Sequence, residues 1–247
     1  MQNLMSVVLA AGKGTRLQSE ENDLPKVMRQ AVGKPLLQYV LDSIAFIEKS
    51  ETVLVVGYKK EEIIKSFSGY AFAHQEEQLG TGHAVMAAAN ALADFDGDVL
   101  ICYGDMPLLT RDTYLSLVNE HKKSRNDCTV LTGTSDLSLP YGRIVRDENG
   151  GFLRVVEDRD CTEQERAITE LNIGVYVFNS QKLLAALKLI GNKNAQGEYY
   201  VTDVPEILLA QGAKVGICKL ELGPEIIGVN TTEQLDLVEK IITERLK

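Results

Sequence analysis

The chain has 247 residues, and its 26 Lys and Arg set against 35 Asp and Glu leave a net charge of −9. Hydrophobic residues are 45% and charged residues 25%, which excludes intrinsic disorder, a collagen-like repeat or a coiled coil as the main architecture. A pI near 5.0 argues against a general nucleic-acid binder, which carries a basic face.

In chain order, the first predicted strand is 4–10, followed by a glycine-rich loop. Pro35 opens a predicted helix over 35–49, with Leu36, Leu37, Val40, Leu41, Ile44 and Ile47 on one face. Strands follow at 52–57 and 70–74, a helix at 82–93 capped by Thr81, a strand at 98–103, and a helix at 111–124 capped by Thr110. To about residue 125 the order reads β-loop-α-β-α-β-α-β-α, which implies a parallel sheet with helices on both faces. The later half is richer in strands: 128–133, 143–147, 152–157, 171–178, 214–220 and 226–229. Thr162 with Glu165 forms a capping-box pattern for a short helix. Ser180 precedes a helix at 181–190 that stops at Gly191, and Thr202 caps 203–211 before Gly212. The last helix, 231–246, starts at Thr231 or Thr232 and sets Leu235, Val238, Ile241 and Ile242 on one face. Several strands are continuously apolar, as central strands buried on both faces are. The expected fold is α/β: a Rossmann-like, mixed, mostly parallel sheet with helices on both faces and a smaller β-rich lobe.

No apolar run reaches the roughly 20 residues of a membrane span, and the start lacks the basic region of a signal peptide. Cys102, Cys128, Cys161 and Cys218 are scattered, with no CxxC, and read as reduced thiols in a cytoplasmic protein. No membrane or nucleic-acid partner is expected.

The strand 4–10 runs into Ala11-Gly12-Lys13-Gly14-Thr15-Arg16-Leu17. Open α/β sheets bind ligands at such strand ends, and glycines let backbone N–H groups close on phosphate oxygens. A dinucleotide fingerprint needs a third glycine where Leu17 stands, and the P-loop pattern GxxxxGK[ST] is absent. The remaining option is a nucleotidyltransferase loop, in which the glycine-rich backbone and an Arg hold a triphosphate and a later Lys reaches it. Arg16, Pro25 and Lys26 suit that pattern.

LAAGKGTRL at 9–17 and PKV at 25–27 resemble the signature of the sugar-1-phosphate nucleotidyltransferase family. QEEQLGTGHAV (75–85), YGDMPLL (103–109), YGRIVR (141–146), VVE (155–157), NIGVYVF (172–178), EYYVTD (198–203) and GVN (228–230) follow in the family's order. The set is most similar to the pyrophosphorylase half of bacterial bifunctional N-acetylglucosamine-1-phosphate uridylyltransferase/acetyltransferases. The resemblance runs from residue 5 to about 240. It implies a nucleotidyltransferase domain over 1–230, with a nucleotide lobe to about 125, a sugar lobe over 126–230, and a C-terminal helix at 231–247. It implies attack of a sugar-1-phosphate oxygen on the α-phosphorus of a nucleoside triphosphate, UTP foremost, with Mg²⁺ as cofactor. The alternatives are another sugar-1-phosphate with UTP or dTTP, and a non-catalytic nucleotide-sugar-binding regulator. A regulator would tolerate loss of Lys26 or Asp105, and both are present.

The resemblance makes Arg16 and Lys26 the catalytic cations and Asp105 and Asn230 the Mg²⁺ ligands. Leu9, Ala10, Ala11, Gly12, Gly14 and Thr15 then form the nucleotide loop. Gln75, Gln78, Gly80 and Thr81 contact the base, Gly80 by permitting its close approach, and Tyr103 with Gly104 line the site. Gly142, Glu157 and Asn172 bind the sugar. Asp105 followed by Pro107 also suits a simple turn, and Asn230 a helix cap. His83, on the first turn of its helix, reads as core or cap-adjacent and not as a catalyst.

Three places depart from the family's pattern. Asp158-Arg159-Asp160 stands where a His or Gln and then a Lys are usual, and an Arg fork is not a Lys point donor. Ile173 replaces the usual Thr, and Thr231-Thr232 follow GVN in place of Asn-Arg or Asp-Arg. No hexapeptide period occurs, so no acetyltransferase activity is expected of this sequence.

Overall fold

The computed structural model describes residues 3–14, 17, 24–135 and 139–247. Its strands are β1 (Leu4–Leu9), β2 (Gln30–Ala31), β3 (Lys34–Pro35), β4 (Thr52–Val56), β5 (Ala71–His74), β6 (Asp98–Tyr103), β7 (Cys128–Thr134), β8 (Arg143–Arg146), β9 (Phe152–Val156), β10 (Glu170–Asn179) and β11 (Val215–Leu220). Its helices are α1 (Leu36–Ser43), α2 (Lys60–Ser66), α3 (Thr81–Ala87), α4 (Ala89–Leu92), α5 (Arg111–Ser124), α6 (Glu163–Arg166), α7 (Ser180–Leu187), α8 (Asp203–Ala210) and α9 (Thr232–Arg245).

One mixed sheet of nine described strands runs β11-β7-β10-β6-β1-β4-β5, with the hairpin β8–β9 attached to β10. β1 pairs in parallel with β4 on one side and β6 on the other, so the chain direction across the sheet switches at β1. β10 runs antiparallel to both β6 and β7. The second half of the chain therefore extends the sheet begun by the first. β1, β4 and β10 are buried along nearly their whole length, as their apolar runs require, while the edge strands β5 and β11 are only partly covered. Val8, Leu54 and Leu100 pack with α1, α5 and α9 on one face. Val7, Val53 and Ile101 pack with α3, α7 and α8 on the other. This period-2 division gives the sheet a helical layer on each side.

The expected fold class holds, and several local expectations change. The helix expected at 35–49 ends at Ser43, with the amide of Ile44 bonded to Val40 and Asp42 oxygens. Helix 82–93 divides at Ala88 into α3 and α4, and Gly80 stands at the cap position ahead of Thr81. Ser180 lies inside α7, whose cap is Asn179. Thr202 makes no cap bond to α8. The expected strand 226–229 does not form: Ile226 ends a 3₁₀ turn over Gly223–Ile226, and 227–229 are irregular, with the Gly228 and Val229 N–H groups bonded to the Tyr141 hydroxyl and the Asp105 carbonyl and not to a strand. Thr110, the Thr162–Glu165 box and Thr231 with Gln234 cap α5, α6 and α9 as their sequences imply.

β10 carries an irregularity between Asn172 and Tyr176, where Gly174 takes φ +78. A Cβ there would meet the Tyr103 ring, with Cδ2 at 2.7 Å. Gly174→Ala is expected to cost about 1–3 kcal/mol, from left-handed backbone strain plus overpacking. Urea unfolding checks this; an unchanged midpoint would mean that the ring is free to move aside.

The candidate active site

β1 and β6 end side by side, with Leu9 in register with Tyr103. Beyond them the chain turns away at Ala11-Gly12 and at Gly104-Asp105, leaving a cleft of about 230 Å³ at the carboxyl edge of the sheet. Leu9, Ala11 and Gly12 line it, whereas Ala10 is turned into the core. Lys13 is exposed, and Gly14 takes φ +68, a conformation that glycine adopts freely. Thr15 and Arg16 lie outside the described residues. Gly104 is a packing position: a Cβ there would meet Leu37 and Val27 side chains, both at 3.1 Å.

Lys26 opens a one-turn 3₁₀ helix after Pro25. Its ammonium is paired with Asp105 Oδ2 and donates to Asn230 Oδ1 at 2.7 Å. Three residues spread over more than 200 positions of chain thus meet at one point. The Asn230 loop is clipped in place by its own neighbours. The Val229 N–H donates to the Asp105 carbonyl at 2.9 Å. The Tyr141 hydroxyl donates to the Ile226 carbonyl at 2.8 Å and accepts from the Gly228 N–H at 2.9 Å. Gly228 is needed there, because a Cβ would meet Met106 Sδ at 2.6 Å and Tyr141 Oη at 3.0 Å.

The meeting of Asp105 and Asn230 oxygens on one cation tests whether a metal suits this point. Both are hard oxygen donors, which fits Mg²⁺. Among the described residues no three His, Cys, Asp or Glu side chains form a cage. An ion here would therefore complete its shell with water and substrate oxygens, as Mg²⁺ does.

The far wall comes from the segment after β5. Gln75 is buried, and Gln78 Nε2 donates to its carbonyl at 3.3 Å. Gly57, after β4, leaves room for both, since a Cβ would lie 2.9 Å from Gln75 O and 3.0 Å from Gln78 Nε2. Gly80, at φ +108, faces protein: a Cβ would meet Glu198 Cβ at 2.8 Å and Tyr199 N at 2.9 Å. Its missing side chain admits the 198–199 backbone, while Gly80 itself lines the cleft. Thr81 Oγ1 accepts from the Val201 N–H at 3.1 Å. Burial pushes the Tyr103 phenol pKa up, with Glu157 and Asp105 adding to the shift.

Beyond Tyr103, Glu157 leaves the end of β9 and accepts from the Thr202 hydroxyl at 2.8 Å. Burial raises its pKa, Thr202 opposes that, and Asp203, Asp160 and Asp158 add to it. Burial first, then Glu206 and Asp160, push Asp203 up to about 6. Glu157, Asp160, Asp203 and Tyr200 border a second hollow of about 350 Å³. Gly142 is held tightly, with a Cβ position 2.7 Å from Val155, and its carbonyl accepts from the Asn172 N–H at 2.8 Å. The Asn172 amide is spent within the fold, donating to Tyr176 Oη at 2.7 Å and accepting from the Gly174 N–H at 3.3 Å. Arg159 is exposed, while Asp158 pairs with Arg143 at 3.4 Å.

The cleft thus gathers Lys26, Asp105, Gln75, Gln78, Thr81 and Tyr103. Glu198, inside EYYVTD, also lines it, and Tyr141 and Thr202 brace neighbouring residues, functional positions that residue type alone does not mark. Their positions in the quoted motifs were the only signal.

The profile of the nucleotidyl transferase family matches residues 5–221. The chain belongs to the nucleotidyl transferase family. It is 43% identical over 247 residues to the bifunctional protein GlmU of Thermoanaerobacter pseudethanolicus, covering 100% of this chain and 53% of that protein. It is 44% identical over 241 residues to the bifunctional protein GlmU of Lactobacillus delbrueckii subsp. bulgaricus, covering 97% of this chain and 52% of the relative. The chain spans about half the length of the curated relatives it matches. A crystal structure of a Bacillus anthracis chain named as a glucose-1-phosphate thymidylyltransferase, in complex with sucrose, superposes with a TM-score of 0.73 at 16% identity. It covers 96% of this chain and 94% of that one, so the fold is that of this nucleotidyltransferase. No described helix is long and apolar enough to cross a membrane.

Proposed function

We propose that this nucleotidyltransferase moves the uridylyl group of UTP onto N-acetylglucosamine-1-phosphate, giving UDP-N-acetylglucosamine and pyrophosphate, with Mg²⁺ as cofactor. The observation that carries the reading is the convergence of Lys26, Asp105 and Asn230 beside the glycine-rich turn. A phosphate oxygen of the sugar forms the new bond to the α-phosphorus as the α–β bridging bond breaks. The nucleophile is already an anion, so no strong base is required, and rate rests on in-line positioning and neutralised charge. Bound Mg²⁺, held by Asp105 and Asn230, would neutralise charge on the triphosphate.

In this reading Lys26, with Arg16, sets positive charge against the phosphates. The turn at Leu9, Ala10, Ala11, Gly12, Gly14 and Thr15 offers backbone N–H groups to them. Gln75, Gln78, Gly80 and Thr81 form the base side, with Tyr103 and Gly104 between base and sugar. Glu157 accepts sugar hydroxyls, near Gly142 and Asn172. The nucleotide lobe then covers about 1–125, the sugar lobe 126–230, and 231–247 is the closing helix. The proposed compartment is the cytoplasm, supported by four cysteines unpaired in the fold.

The choice of UTP and N-acetylglucosamine-1-phosphate is supported by the order of the motifs and the GlmU relatives. A second pairing, glucose-1-phosphate with UTP or dTTP, is favoured by the substituted Asp158-Arg159-Asp160 segment and by the name of the Bacillus anthracis neighbour. Pyrophosphate release decides between them when four nucleoside triphosphates are crossed with glucosamine-, N-acetylglucosamine-, glucose- and mannose-1-phosphate. The expected maximum is UTP with N-acetylglucosamine-1-phosphate. A maximum at dTTP with glucose-1-phosphate selects the second pairing, and a flat panel overturns the enzymatic reading.

A further inference from the structure

The nitrogen end of the Gln75 amide is held by two partners. Its Nε2 lies 3.0 Å from the Gly80 carbonyl oxygen and 3.2 Å from His83 Nδ1. A carbonyl oxygen only accepts, so the group facing Gly80 is the NH₂. Its second hydrogen then goes to His83 Nδ1, which must be unprotonated and leaves the ring proton on Nε2. The amide oxygen Oε1 has no bond from a described residue. Nor is it one of the sealed, unpartnered side-chain atoms, which among the described residues are Tyr114 Oη and Arg143 Nε. Gln75 lines the cleft beside Gly12 and Tyr103, so Oε1 is the polar atom it offers there.

We propose that His83 is a positioning residue that, together with the Gly80 carbonyl, holds Gln75 so that an acceptor, and only an acceptor, faces the nucleotide base. The proposal rests on the nucleotide reading of the cleft and deepens it. The matching base edge carries a ring N–H between two carbonyls, as uracil and thymine do. Cytosine has a lone pair on that ring nitrogen, and acceptor would face acceptor. An unrestrained glutamine reads either edge by flipping its amide. Flipping here sets Oε1 against the Gly80 oxygen, which cannot donate, and forces the His83 ring proton from Nε2 onto Nδ1. His83 itself stays out of the cleft. It borders the groove between α3 and α7, with its ring centroid 6.4 Å from that of Tyr199.

The test is calorimetric titration of the whole protein with UTP and with CTP in magnesium buffer, without sugar phosphate. Wild type is expected to favour UTP. His83→Leu, which keeps bulk but has no acceptor, is expected to lose roughly tenfold of that preference, the scale of one buried hydrogen bond. His83→Asn, which returns an amide oxygen near the Nδ1 position, is expected to regain most of it. Long-range ¹H–¹⁵N spectra of the unliganded wild type should show the Nε2–H tautomer, which needs no variant to fold. An Nδ1–H tautomer, or an unchanged UTP-to-CTP ratio in folded His83→Leu, overturns the proposal while the nucleotide reading stands. A wild type that binds neither nucleotide overturns both.

Discussion

Asp105→Asn is expected to stop pyrophosphate release, by at least about 10³-fold, while the protein stays folded. The substitution keeps the size of the side chain and removes one negative charge. Asp105 is only 19% exposed and faces the Lys26 ammonium, so its charge acts at short range in a poorly hydrated corner. The backbone role of the residue is untouched, because its carbonyl still accepts from Val229. Lys26 also keeps its bond to Asn230, which limits the loss of stability. Turnover under saturating substrates and a urea midpoint measured together separate the two effects. Near-normal turnover would remove Asp105 from the reacting site.

Lys26→Ala is expected to lower turnover by about 10² or more, the usual loss when a group stabilising transition-state charge is removed. The chain carries a net charge of −9, and its proposed substrates are anions. The opposing charge must therefore be local, and Lys26 is the described cation that lines the cleft. The effect should fall on kcat as well as KM, since the charge on the transferring phosphate group changes as the bond breaks. A loss under about threefold, below half of one tenfold step in barrier height, would assign Lys26 to the fold alone.

The legible parts of the fold were those where one physical cause dominates. β1, β4, β6 and β10 carry long buried apolar runs and were plain in the sequence, because burial on both faces leaves little room for polar alternation. α2 was implied only by the alternation of elements. It starts after Lys59 in a left-handed conformation, has no side-chain cap, and buries little beyond Ile63. The hairpin β2–β3 was hidden because its turn places Val32 at φ +50 ahead of Gly33 at φ +74, where propensity would put Asn or Gly.

At the site, motif order identified which residues matter better than it identified what each touches. Lys26, Asp105 and Asn230 do meet. Gly80, however, makes room for Tyr199 and Glu198, the Asn172 amide serves β10, and the Thr202 hydroxyl goes to Glu157 in place of a helix amide. Each of these depends on a partner 4 to 119 positions away, and spacing along the chain carries no sign of it. The tautomer of His83 is of the same kind, since it follows from the carbonyl of Gly80 and not from the residue type.

The most direct test of nucleotidyl transfer is ³¹P NMR of the wild-type protein with UTP, N-acetylglucosamine-1-phosphate and Mg²⁺. Equal amounts of pyrophosphate and UDP-N-acetylglucosamine are expected, with every lost UTP α-phosphorus recovered in the sugar nucleotide. Unchanged UTP, or UDP appearing with orthophosphate, would contradict cleavage between the α and β phosphates and with it the function proposed for this site.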